Sequence, residues 1–299
     1  YLQTLKAGED THTSDVTINS DTTNQQTIGD GGDNVTLTNN ATINNADDNG
    51  SVQSEDNLSG VTVINNIGGV IKQGGAFDGT VIAERNTNFT LINSGTIESN
   101  DGQAINIKLT TDAVITNNTG GLITAKRNAI RCTASCTNPT INNFGTISAK
   151  QEGAVRLNVA TGAIINNNVG GIIDGTGDEG GLHTVQIGND GTLTNSGIIR
   201  RTDNGAPSLV RTKTAIIFQG NNGTVLLKDD SILVGSIRSN ELITGSKLQI
   251  DHGYGRSYMY HTIGELELAD LSGNRIVKGS ATSVGMGAQE TVDEILGQR

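Results

Sequence analysis

Apolar and polar residues alternate along most of the chain in short runs broken by Asn and Gly, and one such run recurs. Leu37-Thr-Asn-Asn-Ala-Thr-Ile43, Leu91-Ile-Asn-Ser-Gly-Thr-Ile97, Ile141-Asn-Asn-Phe-Gly-Thr-Ile147 and Leu193-Thr-Asn-Ser-Gly-Ile-Ile199 are variants of one unit. Between them fall longer forms: Ile64-Asn-Asn-Ile-Gly-Gly-Val-Ile71, Ile115-Thr-Asn-Asn-Thr-Gly-Gly-Leu-Ile123 and Ile165-Asn-Asn-Asn-Val-Gly-Gly-Ile-Ile173. With one Asn of each as marker, the units fall at Asn39, Asn65, Asn93, Asn117, Asn142, Asn167 and Asn195, spaced 24–28 residues apart and 26 on average. Short and long forms alternate, so the full repeat spans two units. A looser copy, Val16-Thr-Ile-Asn-Ser20, opens the series.

Each unit reads as an apolar strand, an Asn/Gly corner and a second strand. Asn and Gly tolerate the left-handed backbone of a sharp corner. The flanking Val, Ile, Leu and Thr alternate with polar residues in the period-2 manner of a strand with one buried face. Such a pair of strands buries its apolar face only by stacking on copies of itself. Gly and β-branched residues at this density oppose helical repeats.

The expected fold is therefore all-β, a right-handed parallel β-helix with one coil per unit. Nine or so coils over residues 10–235 would make a rod of roughly 40–45 Å at about 4.8 Å per strand. The marker Asn residues would stack, and their amides could form a ladder inside the corner. The longer intervals place loops at Phe77–Thr90, Lys126–Pro139, Asp174–Thr184 and Thr202–Thr212, where recognition is expected.

From about residue 221 the Asn-Gly corner is lost, and three of the four tyrosines follow. Larger side chains in a new arrangement suit a cap over the raw end of a solenoid. The sequence divides into a β-helix over 1–235, a β cap over 236–283 and a short terminal helix or linker over 284–299. In the last segment Val292, Ile295 and Leu296 would share one helical face.

Composition narrows the functional classes. Forty Gly, two Pro, no Trp and 3% aromatic residues exclude a globule built on a thick aromatic core. The longest apolar runs, such as Ala215-Ile-Ile-Phe218, are too short for a membrane-spanning helix. A net charge of −11 speaks against nucleic acid, because phosphate binding needs clustered Lys and Arg. The nearest approaches are Lys126-Arg127 with Arg131, and Arg200-Arg201.

Candidate chemistry is sparse. Cys132 and Cys136 are the only cysteines; with no further ligands at suitable spacing they read as a small disulfide loop rather than a zinc site. Two buried free thiols are the alternative. The adjacent acid pairs Asp47-Asp48, Glu55-Asp56, Asp178-Glu179 and Asp229-Asp230 point to opposite faces of a strand, so none by itself spans a sugar ring. The acidic Gly-rich stretches 29–33 and 174–179 resemble calcium loops but fit neither the nonapeptide repeat nor the helix-flanked loop. His12, His183, His252 and His261 are scattered, with no Gly-x-Ser-x-Gly beside them. No catalytic residue, cofactor or metal site is expected.

The Asn-x-Gly repeats are followed by Asp251-His-Gly-Tyr-Gly-Arg-Ser-Tyr-Met-Tyr260, Leu271-Ser-Gly-Asn-Arg275 and Ser283-Val-Gly-Met-Gly-Ala-Gln-Glu-Thr-Val-Asp-Glu294. Together these resemble the passenger region of a bacterial autotransporter, over nearly the whole chain and most specifically in its last fifty residues. The resemblance implies export through the periplasm to the cell surface and threading through a C-terminal outer-membrane barrel. It also implies an autochaperone-like section before that barrel. The chain opens at Tyr1 without a leader and ends at Arg299 before any barrel, as a released or truncated passenger would. A closely spaced cysteine pair suits threading.

The functional expectation is a surface rod that works by binding, as an adhesin or a self-associating aggregation and biofilm factor. Its partners would be copies of itself or a host or matrix ligand, beside its own barrel. The competing classes are a polysaccharide-degrading β-helix enzyme and a stalk for an upstream head.

Overall fold

The computed structural model describes residues 8–29, 31–46, 50–74, 79–176, 183–202, 213–278 and 283–285. They form a parallel β-solenoid. Eight turns of chain give one strand to each of three sheets, A, B and C; one turn, for example, runs through Val52–Ser54, Thr62–Asn65 and Val70–Gln73. Sheets A and B have eleven strands each and sheet C has eight. That makes eight complete three-sheet turns within a rod of about 48 Å.

The repeat supplies sheets B and C, joined at the Asn corner. Sheet A runs through segments that the sequence pattern assigns to loops. Val81–Glu84 lies within the 77–90 excursion and Ile130–Cys132 within 126–139. These strands lack a clean alternation because parts of their outer side are covered as well: outward Asn106, Gln186 and Ile217 are all buried. A strand covered on both faces loses its period-2 signature.

The core consists of columns of like residues. Sheet B stacks Leu37, Val63, Leu91, Ile115, Ile141 and Ile165 in register. Sheet C stacks Ile43, Ile71, Ile97, Ile123, Ile147 and Ile173. All are essentially inaccessible, and each burial contributes about 1.5–3 kcal/mol. Between sheets A and B every turn after the first bends through a left-handed residue, such as Asn88, Asp112 or Asn138. Asn and Asp tolerate that conformation better than β-branched residues.

Sheet C stops at Ile232–Val234, while A and B continue in parallel register through Ser236–Ser239, Lys247–Asp251, Thr262–Ile263 and Glu267–Asp270. An antiparallel sheet of Met259–Tyr260, Ile276–Lys278 and Ser283–Gly285 follows. Beside it Tyr258 and Tyr260 pack on the core with His252, their ring centroids 5.2–5.9 Å apart. Burial pushes the Tyr260 hydroxyl up to about 12. Of the helix expected over 284–299, residues 284 and 285 belong to a strand instead, and 286–299 lie outside the described residues. Among the described residues there is no helix.

Candidate functional site

The corner Asn residues point inward and form a continuous amide ladder. Nδ2 of Asn39 donates to Oδ1 of Asn65, and the pattern repeats to Asn93 and Asn117, each bond 2.8 Å long. It continues to Asn143, Asn167 and Asn195 at 2.7–2.9 Å. Each Nδ2 from Asn39 to Asn117, and that of Asn167, also reaches a carbonyl of its own corner, as Asn117 does to Gly121 O at 3.2 Å. A buried amide is tolerated only when so partnered.

The marker Asn142 is not a rung of this ladder. In Ile141-Asn-Asn the second Asn aligns with Asn117 and Asn167, because alternation turns residue 141 inward and therefore 143 inward as well. Asn142 faces outward and accepts a bond from Asn166 Nδ2 at 2.9 Å. The ladder stops where the column changes residue type. Ile18 lies below Asn39 and Leu227 above Asn195, and Asn195 Nδ2 ends without an acceptor.

Cys132 and Cys136 form a disulfide whose sulfurs lie in the interior at the end of a sheet A strand, with Cα atoms 6.2 Å apart. It is a core element and presents nothing to a ligand.

The groups weighed for chemistry are dispersed or engaged. Asp47-Asp48 and Asp178-Glu179 lie outside the described residues, as does part of each acidic Gly-rich stretch. Asp56 pairs with Arg85. No group of three or more His, Cys, Asp or Glu is placed to hold a metal among the described residues. A cleft of about 590 Å³ beside the first strands of sheet C is lined by Asp21, Thr22, Thr23, Thr42, Asn44 and Lys72. It offers one carboxylate, and Asp21 already accepts the Thr42 N–H at 2.8 Å. Glycoside hydrolysis uses two.

Three residues of the two basic clusters are also tied down. Lys126 pairs with Asp101, Arg127 with Glu152 and Arg200 with Asp174, at 2.6–2.8 Å. His183 sits beside Arg238 and Arg201, and its pKa is lowered to about 4, chiefly by burial and further by the two guanidinium groups.

What the site-by-site reading misses is one face of the rod over eight strands, up to Lys247 and Glu267 in the last two strands of sheet B. The first outward column of sheet B contains only β-branched residues. It runs Thr36, Thr62, Thr90, Val114 and Thr140, then Ile164, Thr192 and Thr224, in unbroken register. The second column holds Thr, Ile, Asn and Leu, from Thr38 to Leu226. No charged side chain occurs in either column over these eight strands.

The uncharged surface turns the corner with the chain. Asn66 Nδ2 donates to Asn40 Oδ1 at 2.7 Å, and Asn118 Nδ2 donates to Ser94 Oγ at 2.9 Å. Long corners project Ile67 and Val169, 87% and 78% exposed. Beyond the corner, the first outward column of sheet C carries Val70, Thr96, Leu122, Thr146, Ile172 and Ile198. Charge returns only in the next column, with Lys72, Glu98, Asp174 and Arg200.

This partition was available as a sequence signal. Residues 34–46, 57–71, 86–97, 113–125, 132–149, 157–173, 191–199 and 214–227 contain no Asp, Glu, Lys or Arg, though 51 such residues occupy the chain. Each charge-free run passes along one strand of sheet B, and all but the last also cover its corner; in the last, Lys228, Asp229 and Asp230 follow Leu227.

Compared with family models, curated proteins and solved structures, the chain matches none. Fold and surface define its class: a rod-like parallel β-solenoid with a face that is uncharged over eight of the eleven strands of sheet B.

Proposed function

We propose that the chain is a surface-displayed adhesive rod of the autotransporter passenger type, exported through an oxidising compartment, that works by binding rather than catalysis. The observation that carries this reading is the uncharged, regularly patterned side of a rigid eight-turn solenoid. A rigid rod holds a binding face away from the surface that bears it, and a repeated face makes many weak contacts at once. The Cys132–Cys136 bond supports the exported location, because disulfides persist in oxidising compartments. The ligand is a second copy of the chain, which makes the rod a factor for cell aggregation and biofilm growth.

The test is a settling assay. Bacteria displaying the chain on a neutral outer-membrane barrel are compared with bacteria displaying the barrel alone. The expected result is rapid clumping, suppressed by excess free chain. Clumping should strengthen with salt, since like net charge opposes close approach and is screened above a Debye length of about 10 Å at 0.1 M. Cells that stay dispersed, or that clump faster at low salt, overturn the reading. Dispersed cells would leave the rod as a stalk.

A further inference from the structure

Building on the self-associating reading, we infer that the docking surface is the outer face of sheet B with its Asn corner, and that its occupant is the same face of a second copy. The first argument is charge. Two chains of net charge −11 meet at lowest cost where neither presents a charged group, since a charge desolvated without a partner is expensive. Sheet B offers such a face over eight strands. The other outward surfaces do not: sheet C carries Lys72, Glu98 and Arg200, and sheet A carries Glu84, Lys108 and Arg156.

The second argument is order. β-Branched side chains are stiff at χ1, so packing the Thr62, Thr90, Val114 and Thr140 column against a partner loses little rotamer freedom. Thr hydroxyls provide hydrogen bonding without charge. Both faces carry the same strand spacing, so facing columns match over their length and can slide by whole strands without losing complementarity. Rods projecting from opposing surfaces would meet antiparallel, in a self-complementary contact.

The third argument is area. Eight strands at about 4.8 Å and four residues at about 3.3 Å give a face of roughly 34 by 13 Å, hence about 900 Å² buried in total. That is below the ~1,200–2,000 Å² of stable complexes. A single pair of rods therefore associates transiently, and many copies on one surface hold by avidity. The free chain should be monomeric at micromolar concentration while a densely coated particle clumps.

The experiment uses beads coated with the purified chain, their clumping followed by light scattering. Thr90→Glu with Thr140→Glu charges sheet B. Thr124→Glu with Ser148→Glu adds the same charge to the outer column of sheet C. Melting curves establish that each variant is folded, and single Thr194→Glu replaces the first pair if that pair unfolds.

Like charges placed opposite one another across the contact should slow clumping of the sheet B variant about tenfold or more, and of the sheet C variant less than about twofold. Equal effects of the two pairs, or an unaffected sheet B variant, overturn the face assignment while clumping of unaltered beads upholds the self-associating reading. Unaltered beads that stay dispersed overturn both.

Discussion

Asn117 Nδ2 donates to Asn143 Oδ1 at 2.9 Å in the interior of the corner, whereas Asn142, one residue earlier, lies on the outer face of sheet B. Two adjacent and chemically identical residues thus have unrelated roles, fixed only by strand alternation. Replacing Asn117 with Ala leaves Asn93 Nδ2 short of its cross-turn acceptor and Asn143 Oδ1 without its donor. The stranded Asn143 Oδ1 costs about 1–3 kcal/mol. Asn93 Nδ2 keeps the Gly95 and Leu122 carbonyls and loses one bond worth about 0.5–1.5 kcal/mol. Asn117→Ala should therefore lower unfolding free energy by about 2–4 kcal/mol. Asn142→Ala should change it by less than about 0.5 kcal/mol, as outward positions do. Denaturant midpoints compare them directly, and equal losses would refute the structural ranking.

Gly145 and Gly120 occupy neighbouring corners and are required for different reasons. A Cβ on Gly145 would run into the Gly121 and Asn118 carbonyl oxygens of the turn below. Gly120 has open space around it but a φ of +82°. Gly145→Ala should therefore cost about 1–3 kcal/mol by overpacking, and Gly120→Ala roughly 1–2 kcal/mol through backbone conformation. Gly120→Asn should recover part of the second loss, because Asn accepts a left-handed backbone; Gly145→Asn should recover none of the first. Thermal melts of the four variants decide it.

His183 gives a pH signature. Burial, reinforced by Arg238 and Arg201, holds its pKa at about 4 against an ordinary 6.5. The unfolded chain therefore takes up the proton first. The neutral ring's contribution is fully present above about pH 6.5 and lost as pH falls through about 4. Urea midpoints of the unaltered chain and His183→Gln should differ in their drop between pH 7 and about pH 4, with the shallower slope in the variant. Parallel slopes would show that the imidazole is not held neutral.

The disulfide closes a short ring, and the chain-entropy relation gives about 2 kcal/mol for it. The double variant Cys132→Ala, Cys136→Ala should lose about that much stability while beads coated with it clump as before. Loss of clumping in a folded double variant would tie the bond to recognition.

The stacked architecture was legible because sheets B and C are wet on one face, so Leu91 to Ile97 advertises period-2 alternation around an Asn-Ser-Gly corner. Sheet A was not legible as strands. Its outward positions, such as Asn106 and Gln186, are covered, and burial on both faces removes the contrast between polar and apolar positions. The ladder could be inferred, but its register at Asn142 and Asn143 could not. Either Asn satisfies the motif, and only the inward position of Ile141 chooses between them. The candidate surface was legible in principle, as recurring charge-free windows, but it resides in no single residue and escapes a search for reactive groups.

The six amide bonds of the ladder all run the same way, each carbonyl toward the N-terminal turn and each N–H toward the next. Side-chain dipoles so aligned add along the axis, as peptide dipoles do in a helix. The negative pole falls at Asn39 and the positive pole at Asn195, whose free N–H meets only the Leu227 layer. Duplicating a two-unit segment would lengthen this column without reversing any dipole, whereas one inverted amide would set like ends together at two places. The rod is thus electrically directional along its interior, and each added repeat extends that direction while its outer side stays neutral.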